Sequence, residues 1–470
     1  MIQKHHGRAI ILLCVFAIPA ARAQTSDVSR HKETAARITT TGLRTGQAYT
    51  LLSELCATAP HRLAGSEGAE KAVAWGRRAL EKAGADGVKL EPVEVPHWVR
   101  GPVESAAIVE NHGSPTARQP LRVCALGGSV ATPEAGITAE VLTVQSFDEL
   151  HAAGEKAKGK IIFFNRAFDK GLVHPFMAYG QSVGQRAAGA VEAAKAGGVA
   201  ALVRSMTSRR DDEPHTGGMR YAGGVAQVPA AAISIIGAER LAEALATDPH
   251  LKLELKLSCH TLPDVPSSNV IGEIRGSELP NEVVLIGGHL DCWDKGQGAH
   301  DDGAGIVHTI EAIRLLKELG LRPKRTIRAV LFMNEENGNR GGEAYAAKER
   351  PGETAVAAIE SDSGGFTPRG FGVGGGRAVL QRVATWAPLF APIDADHLIA
   401  GGHGTDIGPL IARGVPGFDL SVDSQRYFDY HHSNNDKIEA VNERELELGA
   451  IAMAIMSYTI AQEGLSSRSR

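Results

Sequence analysis

Aromatic residues are scarce in this 470-residue sequence, at 5%, and basic residues do not outnumber acidic ones: the formal net charge is −4. Proteins that grip single strands stack bases on aromatic rings, and duplex binders present a basic face. No nucleic-acid partner is therefore expected. Long apolar runs are also missing. The longest, Ala9–Ala20, has twelve residues, short of the ~20 that a helix needs to cross a bilayer, so no membrane span is expected. No C-x-x-C pair occurs among the five cysteines, which argues against a thiolate zinc site. No internal repeat is visible. What remains is ordinary for a globular chain: 43% apolar and 22% charged residues, enough to bury a large core and too mixed for disorder.

The amino end reads as a secretory signal peptide over residues 1–23. Lys4 and Arg8 precede the short apolar run, and Ala21-Arg22-Ala23 has the form of a cleavage site. The expected location is periplasmic or extracellular. Loss of that segment moves the net charge from −4 to −7 and removes Cys14. The remaining Cys56, Cys124, Cys259 and Cys292 allow three complete pairings, among which sequence does not choose.

Residues 24–43 are polar and read as a tail or short pro-segment. Residues 45–85 have helical apolar spacing with a stop at Gly84. Residues 86–110 alternate like strands, interrupted by Pro92 and Pro96. Between 112 and 262 the texture changes to short strands and an Ala-rich helix without clustered charge, which predicts a small α/β domain inserted into the main one. LPDVPSSN (262–269) reads as the linker back. From there apolar strands alternate with helices. The expected fold class is α/β: a three-layer domain (44–111 and 263–470) around a mostly parallel mixed sheet.

Three apolar strands in this last part run into charge: Val283–Ile286 into His289 and Asp291, Ala329–Asn334 into Glu335-Glu336, and Ala355–Glu360 into Asp362. Functional groups of open α/β sheets gather outside the carboxyl ends of the strands. His300-Asp301-Asp302 and His431-His432 sit on loops nearby in the same domain. Each piece is commonplace alone; Asp-Asp-Gly, for instance, is usually a turn and helix cap. Together they form a charge problem. Clustered carboxylates raise one another's pKa, and a cation relieves that repulsion. Histidine and carboxylate without thiolate suit Zn²⁺ or a similar divalent ion. The candidates exceed the three protein ligands of one catalytic zinc. Two ions sharing a carboxylate at ~3.5–4 Å fit the count better.

The motifs GGHLDCWDKGQGAHDDGAG (287–305), NEENGNRGGEAY (334–345), IESDSGG (359–365), GHGTD (402–406) and YHHSNND (430–436) resemble the co-catalytic di-zinc aminopeptidase and carboxypeptidase family. LEPVEVPHWVRG (90–101), GITAEVLTVQSFDEL (136–150) and GAVEAAKAGGVAALVRS (189–205) extend the resemblance beyond the candidate site. It implies two zinc ions per chain, with Asp301 bridging them, His289 and Asp362 completing one, and Glu336 and His432 the other. It makes Glu335 the general base; residue chemistry alone does not separate Glu335 from Glu336. His432 is preferred to His431 for its place before Ser433. Asp291 would hold His289 from behind, and Asp436 would do the same near His432. The resemblance further implies that the 112–262 segment is a protease-associated-like domain. Short peptides, dipeptides foremost, would be the substrates of a homodimeric exopeptidase. Three departures stand out: Cys292 where a Ser is expected, His300 as a rival ligand beside Asp301, and Lys437 where a Thr is usual. Arg377, Arg426 and Lys437 are candidates for holding a substrate carboxylate. The competing readings are a non-enzymatic receptor-like relative and a di-metal phosphoesterase.

Overall fold

The computed structural model describes residues 19–465. The first 18 residues of the expected signal peptide lie outside the described residues. Among the described residues no helix is long and apolar enough to cross a membrane.

Residues 24–43, expected as a polar tail or short pro-segment, belong to a helix, Pro19–Thr45. Its buried positions are His31, Ala35, Ile38 and Gly42, a helical spacing that faces the last helix, Glu443–Glu463. A histidine and a glycine hide this stripe from a reading keyed on large apolar side chains. Both are used. His31 Nε2 meets Glu463 at 2.7 Å, and a Cβ on Gly42 would stand 2.5 Å from Ile451 Cγ1.

The main sheet has eight strands, in the order Asp86–Val99, His260–Ile274, Arg325–Phe332, Leu279–His289, Thr354–Glu360, Gly417–Val422, Pro368–Val373 and His397–Ala400. The third to sixth of these run parallel. The two-residue period of the strands sends apolar side chains to both faces. Val284, Ile286, Ile327, Ala329 and Ile359 join one core, under helices Ala48–Thr58, Glu67–Lys82, Ala304–Glu318 and Glu443–Glu463. Leu285, Val330, Phe332 and Ala358 join another, with Tyr345 and Leu410. That makes the expected three layers.

The second sheet also has eight strands, all drawn from residues 104–257. Sheet membership therefore changes at Glu104, after the turn at Gly101 (φ +73°) and Pro102, rather than at 112. On the way back, LPDVPSSN is strand rather than linker: it lies within His260–Ile274, paired antiparallel with Asp86–Val99. Only Val270–Ile274 of that strand pairs on its other side. Pro263 and Pro266 thus fall where one side has no ladder to break. Pro92 and Pro96 are tolerated in the neighbouring edge strand for the same reason. Cys56, Cys124, Cys259 and Cys292 are all buried and free, so none of the three pairings forms.

Candidate metal centre

Strand register carries the candidate residues to one edge. His289 pairs with Phe332, Gly287 with Glu360, and Glu360 with Asp419. His289, Glu335 and Asp362 therefore leave the sheet within a few residues of the same line. Asp301 arrives on the loop that follows His289. That loop is held from below by Arg62, whose fully buried guanidinium donates to the carbonyls of Leu290 (2.7 Å), Gln297 (2.6 Å) and Gly298 (2.8 Å). His432 comes from the loop before the last helix and holds a left-handed backbone, φ +60°.

The side chains form two groups that share one carboxylate. His289 Nε2 lies 3.4 Å from Asp301 Oδ1 and 3.6 Å from Asp362 Oδ1. His432 Nε2 lies 3.2 Å from Asp301 Oδ2 and 3.1 Å from Glu336 Oε2. Asp301 thus turns one oxygen to each group. Glu335 Oε2 stands 4.0 Å from His289 Nε2, beside the groups and partly exposed. His431 stacks on His432 with ring centroids 3.5 Å apart, and its Nε2 is 3.8 Å from Asp301 Oδ2.

The surrounding hydrogen bonds amend several expectations. His289 Nδ1 donates to the backbone carbonyl of Asp291 at 3.1 Å, while the Asp291 carboxylate is 3.8 Å away. That carboxylate instead accepts the N–H groups of Asn334 (2.8 Å) and Glu335 (3.1 Å), tying the His289 loop to the Glu335 turn. Asp436 does not hold His432; its two oxygens accept the N–H groups of His300 (2.7 Å) and Asp301 (3.1 Å). The partner behind His432 Nδ1 is the Thr216 carbonyl at 3.3 Å, contributed by the second-sheet segment. Asp302 accepts the N–H groups of His289 (3.1 Å) and Gly305 (2.8 Å), leading into helix Ala304–Glu318.

His300 is no rival ligand. Its Nδ1 accepts from Gly365 N–H, its Nε2 faces the Ala440 carbonyl, and its ring stacks on Phe366. Burial pushes it down to about 4, so it stays neutral. Cys292 packs beneath Gly298, and burial pushes its thiol up to about 12. Of the three candidates for a substrate carboxylate, Arg377 and Lys437 are exposed, and Arg426 pairs with Glu445 at 3.6 Å. Thr405 of the GHGTD motif and Ile407 just after it donate their N–H groups to the buried Glu360, and Asp406 is buried between them.

The donor set fits divalent cations. His289 Nε2, Asp301 Oδ2 and Asp362 Oδ1 are buried without a hydrogen-bond partner, and buried polar atoms are rarely left so. Metal-free, the groups compensate by exchanging protons. Burial, with the charge of Asp301, pushes Glu336 up to about 8. Burial also pushes Asp362 to about 6, against the pull of His289. Burial disfavours a charged His432, yet Glu336 and Asp301 lift it to about 10. Asp301 falls well below the carboxylate range because bonds from His289 and His432 outweigh its burial. Two imidazolium protons thus stand in for positive charge that a cation supplies directly.

A model of peptidase family M28 matches residues 269–457. Carboxypeptidase Q from Homo sapiens is 39% identical over 424 residues, covering 89% of this chain and 86% of its own. The chain belongs to peptidase family M28. Carboxypeptidase Q from Xenopus laevis, 38% identical, covers 93% of this chain and 91% of its own. A solved M28 peptidase precursor from Shewanella amazonensis superposes with a TM-score of 0.87 at 33% identity, over 94% of this chain and 99% of its own. Membership bears out the enzyme class expected from the sequence, a zinc metallo-exopeptidase. Four contributors to the centre had no signal in the sequence: Arg62, Thr216, Trp293 (whose N–H meets Glu336 Oε1 at 3.2 Å) and Arg186, which reaches 3.4 Å from His432 Nδ1. Thr216 and Trp293 act through their own backbone groups, which carry no residue code, and Arg62 serves backbone carbonyls with its side chain.

Proposed function

We propose that this M28 member binds two zinc ions, one in each donor group, and hydrolyses short peptides, dipeptides foremost, outside the cytoplasm. The observation that carries the reading is Asp301, with one oxygen directed to each group. His289 and Asp362 would hold one ion and Glu336 and His432 the other. Bound there, the pair would polarise a peptide carbonyl and acidify water towards a pKa of ~7. The rest is work for the chain. Glu335, held through its N–H by Asp291, takes the proton of the attacking water at its carboxylate and passes it to the leaving amine. Asp291 keeps that turn in register with His289, and the Thr216 carbonyl keeps His432 in the tautomer whose Nε2 is free. The charged and apolar pattern of residues 1–23 supports export, and the family resemblance supports a homodimer and a protease-associated-like role for the second sheet.

The test is Glu335→Gln beside Asp301→Ala, with bound zinc measured by elemental analysis and turnover on a dipeptide library with and without chelator. Glu335→Gln should keep its zinc and lose ~10²–10⁴-fold in kcat. Asp301→Ala should lose both zinc and turnover. Full turnover in Glu335→Gln removes it from the base role; undiminished zinc in Asp301→Ala removes the shared carboxylate.

A further inference from the structure

The two donor groups are held from different parts of the fold. His289 is fixed within its own sheet, by the Asp291 carbonyl and by Asp302. The Glu336–His432 group is fixed by the Trp293 N–H and the Thr216 carbonyl. Trp293 follows His289 by four residues, yet its ring is buried in the core of the second sheet, with Trp98, Ala125, Ile161 and Leu202. It meets Trp98 edge-on, with centroids 6.4 Å apart. It also lies against Gly127 so closely that a Cβ there would stand 1.8 Å from Trp293 Cη2. Thr216 is anchored in the same place. Its hydroxyl donates to the Ala125 carbonyl at 2.9 Å and accepts from Arg100 Nη2 at 3.3 Å. The same guanidinium binds both oxygens of Asp294, at 2.8 and 2.5 Å, one residue after Trp293. One buried arginine therefore joins the two supports of a single donor group.

We propose that Trp293 is a positioning residue for Glu336, and that through it the second sheet sets the cation affinity of the Glu336–His432 group independently of the His289–Asp362 group. The inference rests on the two-zinc reading above. A ring locked in one core fixes where its own backbone N–H can stand. A shift of that N–H releases one Glu336 oxygen and turns the carboxylate away from His432. Nothing in that chain touches Asp362.

Zinc titration of the metal-free enzyme tests it. The wild type should hold two equivalents; fewer would overturn the two-zinc reading itself, before any variant is compared. Trp293→Ala, and Gly127→Val, which drives the ring out of its seat, should keep one equivalent at wild-type affinity. The other should weaken ~10- to 100-fold, as loss of an outer support does elsewhere. Trp293→Phe, which retains a ring, should fall between. Equal weakening of both equivalents, or no change in either, overturns the proposal. A second measurement needs no core substitution. The Trp293 and His432 ring centroids are 5.7 Å apart, so stepwise removal of zinc from the wild type should change tryptophan emission with one equivalent only, and Trp293→Phe should abolish that change. An emission change shared equally by the two equivalents, or one that survives in Trp293→Phe, overturns it as well.

Discussion

Replacing Arg62 with methionine should loosen the centre from behind without touching a donor. The guanidinium is fully buried, with no carboxylate in salt-bridge contact among the described residues. Its donors go to three carbonyls, of Leu290, Gln297 and Gly298, at 2.6–2.8 Å. Hydrogen bonds involving a charged group contribute ~1.5–3 kcal/mol each, so three give a gross loss of about 4.5–9 kcal/mol. Against this, methionine spares the fold the several kcal/mol of desolvating a cation. It fills a similar volume, so little cavity cost is added. The Leu290 carbonyl is left buried without a donor, while Gly298 keeps the Gly303 N–H at 3.0 Å and Gln297 keeps only the Cys56 thiol at 3.9 Å, and the net expectation is about 1–3 kcal/mol of lost stability. Urea unfolding of the metal-free protein reads this as a lower midpoint. Zinc titration should also show both equivalents weakened, because the loop between His289 and Asp301 loses its floor. A loss under ~1 kcal/mol with unchanged zinc affinity would refute the claim that Arg62 holds this loop.

Two further outcomes follow from the same site. In the metal-free centre, against the cost of burial, the neighbouring carboxylates raise His289 well above the usual imidazole range and lift His432 to about 10, while burial pushes Glu336 up to about 8. These groups are raised and the bound ions need the deprotonated donors, so filling the site should release protons and affinity should fall as pH drops. Calorimetry in buffers of different ionisation enthalpy counts them, and fewer than one would contradict the assignment. His300→Phe should leave zinc content intact, since neither ring nitrogen faces the donors. It should cost about 1–3 kcal/mol in thermal unfolding for the lost bonds; a lost equivalent would make His300 a ligand.

The catalytic sheet was legible because parallel strands buried on both faces are nearly continuous apolar runs. The charges at the ends of Leu279–His289 and Thr354–Glu360 stand out against them. The helix Ala304–Glu318 was legible from its apolar spacing. The donors could be gathered by type and order; the resemblance to a family separated Glu335 from Glu336, and the place before Ser433 favoured His432 over His431. The first helix was missed because its contact face is built from His31 and Gly42 as well as Ala35 and Ile38. The strand at 262–269 was missed because two prolines read as a linker when the unpaired side of the strand cannot be seen. Asp291 and Asp436 were placed near the right residues but given the wrong bonds, because both serve backbone N–H groups. Thr216 could not be found at all: a carbonyl oxygen is the same in every residue.

The four buried thiols carry one practical consequence. Nothing in the described fold waits on an oxidant, so chain maturation is uncoupled from redox chemistry. A version lacking residues 1–23 synthesised in a reducing cytosol should reach the same structure.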